Sequence, residues 1–141
     1  MAEGNLELAR KLVDDFNAFM RGEMSSEAYA KPFHERIDVH WHDRQTYPDT
    51  PQHLRSSEDL IAFTQEYREG WADLTAEALE LIETPGNRVL ALIRQSGRGR
   101  QSGVPIEIHY FQVWRFEDGK VREVEMFRHR ADALEAAGLR G

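Results

Sequence analysis

Residues 87–139 read NRVLALIRQSGRGRQSGVPIEIHYFQVWRFEDGKVREVEMFRHRADALEAAGL. Three runs of strand character, RVLALIRQS, VPIEIHYFQVWRF and VREVEMFRH, are separated by GRGRQSG and EDGK. A short helical run, ADALEAA, stops at Gly138. Turn signals of this kind between alternating runs predict antiparallel hairpins. Strand side chains alternate between faces, so Ile106, Ile108, Tyr110, Gln112, Trp114 and Phe116 fall on one surface of the middle strand. An apolar and aromatic wall interrupted by a single amide suits a ligand cavity as well as a core. The opposite face carries Glu107, His109, Phe111, Val113 and Arg115, too apolar for full solvation and too charged for a core. That mixture predicts partial cover by a second copy of the chain, a homodimer through the outer sheet face.

Upstream, LTAEALELIE and the turn TPGN supply a further strand. Before it, Leu8, Leu12, Phe16 and Phe19 recur at helical spacing over about residues 5–21, with Gly22 as the stop. Asp15 flanks that stripe, either at its boundary or looking into an interior cavity. Ser25 or Ser26 caps a short helix, SSEAYA, that Pro32 limits. A brief strand, IDVHWH, leads into the polar, proline-containing stretch DRQTYPDTPQHLR, read as a loop. Ser56 and Asp59 form a variant capping box for a third helix with Leu60, Phe63, Tyr67 and Trp71 on one face. Helices followed by an antiparallel meander define an α+β fold in one domain spanning 1–141.

Composition narrows the function. A chain of 141 residues with 40% apolar content can bury a substantial core. No segment approaches the about 18 consecutive apolar residues of a membrane span, and the N-terminal MAEGNLELARKLVDD lacks the pattern of a secretory signal. With no cysteine, disulfides, thiol catalysis and thiolate metal sites are excluded, which fits a cytoplasmic protein. The net charge of −7 disfavours nucleic acid as a partner. The arginines at 94, 98, 100, 115, 122, 128 and 130 are read as balancing acidic residues on solvated strand faces rather than as an anion site.

The order of elements resembles the nuclear transport factor 2-like superfamily, and its SnoaL-like members in particular. The resemblance rests on VHWHD at 39–43, EYREGW at 66–71, GRGRQSG at 97–103, FQVWRFEDGKV at 111–121 and ADALEAAGL at 131–139. It implies an α+β cone: a curved antiparallel sheet wrapped around three N-terminal helices, with an apolar cavity at its open end. It also implies a small hydrophobic molecule as partner and chemistry of the isomerase, cyclase or dehydratase kind with no cofactor, or a non-catalytic module for ligand binding or dimerisation. In the enzymes of that family an acidic residue stands on the long strand, two positions before a large apolar residue. Here that position is Gln112, before Trp114, and an amide cannot exchange a proton at neutral pH. Gln112 keeps a hydrogen-bond donor that suits a carbonyl or enolate oxygen. The family's base matches Asp43, with His42 beside it.

Each candidate has an alternative. Asp43 is either a cavity carboxylate with a raised pKa or a turn-capping residue. His42 titrates in the right range, but alternation places it with His40 on the face opposite Trp41 and Asp43. His40 and His42 share a face without a third ligand at recognisable spacing, so no metal site is assigned. Trp41, Tyr67, Trp71, Tyr110 and Trp114, with Met126 on the last strand, either stack on a ligand or fill the core, and Tyr47 is placed at the cavity mouth. Arg94 either pairs with Asp15 or Asp43, binds an acidic group of a substrate, or faces outward. GRGRQSG lacks the strand-to-helix context of a phosphate loop.

Overall fold

The computed structural model describes residues 2–41 and 53–139. The chain runs α1 (Ala2–Met20), α2 (Ser26–Ala30), β1 (Phe33–Trp41), β2 (His53–Leu54), α3 (Ser57–Glu69), β3 (Trp71–Thr84), β4 (Arg88–Gly99), β5 (Pro105–Glu117), β6 (Lys120–Phe127) and α4 (Arg130–Ala136). The six strands form one sheet in the order β2-β1-β6-β5-β4-β3. The hairpins β3–β4, β4–β5 and β5–β6 are antiparallel, while β1 joins β6 in parallel and so closes the helical half of the chain onto the meander.

Local chemistry sets the boundaries. Ser25 and Ser56 cap α2 and α3, their hydroxyls accepting from the N–H groups of Ala28 and Asp59 at 3.1 Å each. Asp118 and Gly119 turn the β5–β6 hairpin at φ 53° and 75°, a left-handed pair that Asp-Gly supports. The first strand starts at Phe33 rather than Ile37, and the two-residue β2 lies inside the stretch read as a loop. Trp71 opens β3 instead of ending α3, because Gly70 closes the helix.

Bulges bend the sheet. The β3–β4 register shifts between Ala72 and Thr75 and again between Ala78 and Glu80, with Asp73 at φ 58°. Such insertions kink a strand and raise its twist. The concave face receives α1 against β3 and β4 and α3 against β1 and β3. Its core includes Ala9, Ile37, Val39, Val89, Ala91, Ile93, Phe116 and Val121. A smaller cluster of Phe19, Tyr29 and Ile61 joins the three helices, with the Phe19 and Tyr29 rings stacked at 4.6 Å.

The convex face is partly covered from within the chain. Helix α4 folds back so that Ala133 and Ala137 pack on Leu90 and Val113, with Phe111 and Phe127 against them. This cover explains much of the apolar content on the outer face of β5 that the sequence assigned to a partner subunit. The arginines are largely consumed in ion pairs on solvated faces: Arg94 with Glu77, Arg98 with Asp73, Arg122 with Asp38 and Arg130 with Glu80.

At Gly97 the start of β3 crosses β4 so closely that a β-carbon would stand 3.0 Å from the Leu74 Cα and 3.1 Å from the Trp71 ring. Backbone cannot yield as a flexible side chain can. Gly97→Ala should therefore cost about 1–3 kcal/mol, the usual range for overpacking, measured by denaturant unfolding, whereas Gly4→Ala, in open space, should not destabilise.

Candidate functional site

Between the concave face and the helices lies a cavity of about 150 Å³. Helix α1 presents Leu12, Val13 and Phe16 to it, and α3 presents Leu60, Phe63, Thr64 and Tyr67. Trp41 of β1, Ile93 and Gln95 of β4, and Met126 of β6 line the sheet side. From β5 come Ile108, Tyr110, Gln112 and Trp114, four consecutive inward positions. The two ends of the wall read from the sequence fall elsewhere: Ile106 is exposed, and Phe116 is buried in the core.

The wall is mainly apolar, and its polar groups are organised. Gln95 is 3% exposed. Its side-chain oxygen accepts from the Tyr110 hydroxyl at 3.0 Å, and its NH2 donates to the Tyr67 hydroxyl. One amide thus satisfies two phenols from different elements. Burial raises the Tyr67 pKa, against the opposing effect of its hydrogen bonds with Gln95 and Trp71. Nearer the other end, the Trp114 indole N–H donates to the Gln112 oxygen at 3.0 Å. An indole can only donate, so this bond fixes the amide's orientation and leaves the Gln112 NH2 as its donor end.

Among the described residues that line the cavity there is no carboxylate, histidine, lysine or arginine. Asp15 is buried but does not line it; its carboxylate is held by Lys11 at 2.7 Å. Arg94 faces outward to Glu77, as the register partner of that residue. Trp71 is not part of the lining either; it packs beside Tyr67 with ring centroids 5.8 Å apart. Trp41 packs on Phe63 at 5.1 Å. His42, Asp43 and Tyr47 lie outside the described residues.

Gln95 was not singled out from the sequence. The signal was present: it follows Val89, Ala91 and Ile93 at even spacing, so alternation alone sends it to the concave face. A polar residue ending an apolar alternation deserved the same weight as Gln112.

Residues 9–124 match the SnoaL-like domain family, and the chain belongs to it. None of the curated proteins matches it by sequence. Solved structures share the fold. A provisionally assigned SnoaL-like polyketide cyclase from Jannaschia sp. CCS1 superposes with a TM-score of 0.74 at 19% identity, covering 97% of this chain and 92% of that one. An NTF2-like protein of unknown function from Burkholderia pseudomallei K96243 gives 0.70 at 19% identity, with 95% and 97% covered. A hypothetical protein of ketosteroid isomerase-like fold from Catenulispora acidiphila DSM 44928, solved with trimethylamine, gives 0.66 at 12% identity, with 91% and 92% covered. Among the described residues no helix is long and apolar enough to cross a membrane.

Two outcomes follow from the buried network. Gln95→Leu removes one hydrogen-bond partner from each of two phenols in an apolar wall and should cost about 1–3 kcal/mol of stability in total, read by chemical denaturation. The folded protein holds Tyr67 neutral where the unfolded chain ionises it near the ordinary 10.0. That contribution is complete below pH 10 and is lost as pH rises through the raised folded value. Tyr67→Phe should therefore flatten the alkaline end of the stability-versus-pH curve while leaving its slope below pH 9 unchanged.

Proposed function

We propose that the cavity binds a small, mostly apolar molecule carrying one hydrogen-bond acceptor, such as a ketone or enone, and that Gln112 donates to that acceptor. The observation that carries this reading is the Trp114–Gln112 bond, which turns the donor end of an amide away from the indole within an aromatic wall. A structural amide in a core would be expected to use both ends; among the described residues none takes the donor end, which suits a ligand. Size sharpens the class. A space of about 150 Å³ is the scale of a one-ring molecule and falls below the roughly 300–1,000 Å³ of drug-sized pockets.

The resemblance of Asp43 to the family's base supports an extension to isomerase- or cyclase-type catalysis, in which Asp43 removes a proton next to the carbonyl and Gln112 stabilises the oxygen as charge builds on it. The described lining holds no carboxylate or histidine to take that proton, so the base of the catalytic version is assigned to Asp43, with His42 beside it as the alternative. A homodimer through the part of the outer sheet face that α4 leaves open also belongs to the proposal, and sedimentation equilibrium reads it directly.

Acetophenone and ethylbenzene, titrated while tryptophan fluorescence is followed, separate polar recognition from apolar filling. Gln112→Leu should weaken the ketone by about 0.5–1.5 kcal/mol, one neutral hydrogen bond, and leave the hydrocarbon unaffected. Equal effects on both ligands would remove Gln112 from recognition. For the catalytic extension, Asp43→Asn must abolish turnover of a genuine substrate while preserving its binding; unchanged turnover rules that role out.

A further inference from the structure

A second group of side chains lies on the opposite face of the sheet, away from the cavity. Ile37, Val39 and Trp41 are buried, so alternation along β1 carries Asp38 and His40 to the outer face. Strand β2 pairs antiparallel with β1 and sets His53 directly opposite His40. The two imidazole rings stack with centroids 4.0 Å apart at 18°. His53 Nε2 lies 2.9 Å from Asp38 Oδ1. One potential ligand atom from each of the three residues falls within 4.8 Å of the others, and all three side chains are half-buried.

We propose that Asp38, His40 and His53 form a binding site for a divalent transition-metal ion, zinc being its representative, on the outer face of the β1–β2 pair. Two imidazoles and a carboxylate are the donor set of borderline ions such as zinc, and a fourth position is open to water. Zinc–nitrogen bonds of 2.0–2.1 Å imply ligand atoms about 3.3 Å apart in a tetrahedron. The His53–Asp38 pair, at 2.9 Å, has only to open by a few tenths of an ångström, and the half-buried His40 must exchange its present contacts for the metal by side-chain rotation on a fixed strand. The backbone is suited to the task because all three residues stand on hydrogen-bonded strands, which hold ligands more accurately than loops.

The existing bonds define what the ion must replace. Arg122 donates to Asp38 Oδ2 at 2.7 Å, which leaves Oδ1 for the metal. Coordination through His53 Nε2 displaces the proton shared with Asp38 and shifts the ring proton to Nδ1. Arg55, which donates to Nδ1 at 3.2 Å, is exposed and can release it. A bound ion would fasten the two-residue β2 to β1, the two strands that residues 42–52 connect.

The test titrates zinc chloride into the metal-stripped, full-length protein by calorimetry. The site predicts saturable binding of one ion per chain. Substituting H40A and H53A together should weaken it by more than about tenfold, the lower end of what even an outer-shell change costs a metal site. Zinc should raise the melting temperature of the wild type and not of that double variant. A wild-type measurement stands beside the variants: cobalt(II) should broaden the imidazole NMR signals of His40 and His53 ahead of the other histidines. Absence of saturable binding, wild-type affinity in the double variant, or broadening confined to the other histidines overturns the proposal.

Discussion

A single amide holds the concave side of this protein open. Gln95, buried on β4, ties the hydroxyl of Tyr67 on α3 to that of Tyr110 on β5. Without that amide each phenol would lose one hydrogen-bond partner in an apolar wall, Tyr67 keeping its bond with Trp71, at about 1–3 kcal/mol for the pair. Satisfied, the two rings are fixed at the cavity wall instead of collapsing into it. The arrangement resists simple hydrophobic filling, because any side chain that closed the space would also have to meet or displace the network.

The frame around that network is fixed at the sheet's edge. Strand β3 ends the sheet, and an edge strand leaves backbone groups unpaired. Asn17 on α1 supplies one replacement: its side chain donates to the Ala76 carbonyl at 2.9 Å and accepts from the Ala76 N–H at 2.7 Å. The helix is thereby keyed to one position on the strand, which sets where Leu12, Val13 and Phe16 meet the cavity. The bulges of β3 curve the sheet around the same helix. On the convex side α4 seals Leu90 and Val113. Curvature, helix register and cavity wall are thus three consequences of local sequence choices, and the fold places chemistry only where these choices leave polar groups inside.

Much of this was legible in the sequence. Alternation in IEIHYFQVWRF predicted four of the inward residues of β5, and the DG turn predicted the hairpin after it. Helical spacing predicted α1, and the serine caps predicted α2 and α3. The failures have physical causes. Trp71 fits a helical stripe, but spacing cannot show that Gly70 ends the helix and sends the ring to the start of a strand. Ile106 obeys the alternation of its strand but lies at an open end that the helices do not cover. Asp15 sits beside an apolar stripe, and its i,i+4 spacing to Lys11 on the same helix was the legible signal that it is held there rather than in the cavity. The cover supplied by α4 depends on a chain reversal that no periodicity encodes. His53 joins His40 only through pairing across the segment between β1 and β2, which is why neighbouring residues alone did not suggest three ligands.

The proposed function turns on recognition of an acceptor atom by Gln112 in the cavity. Nitrogen–proton NMR of the side-chain amides, recorded during a titration with acetophenone, reads that contact directly. The Gln112 NH2 signals should move together with the Trp114 indole N–H, while amides on the outer sheet face stay in place. A cavity that binds the ketone without moving the Gln112 NH2, or a ketone that perturbs only the outer face, would contradict it.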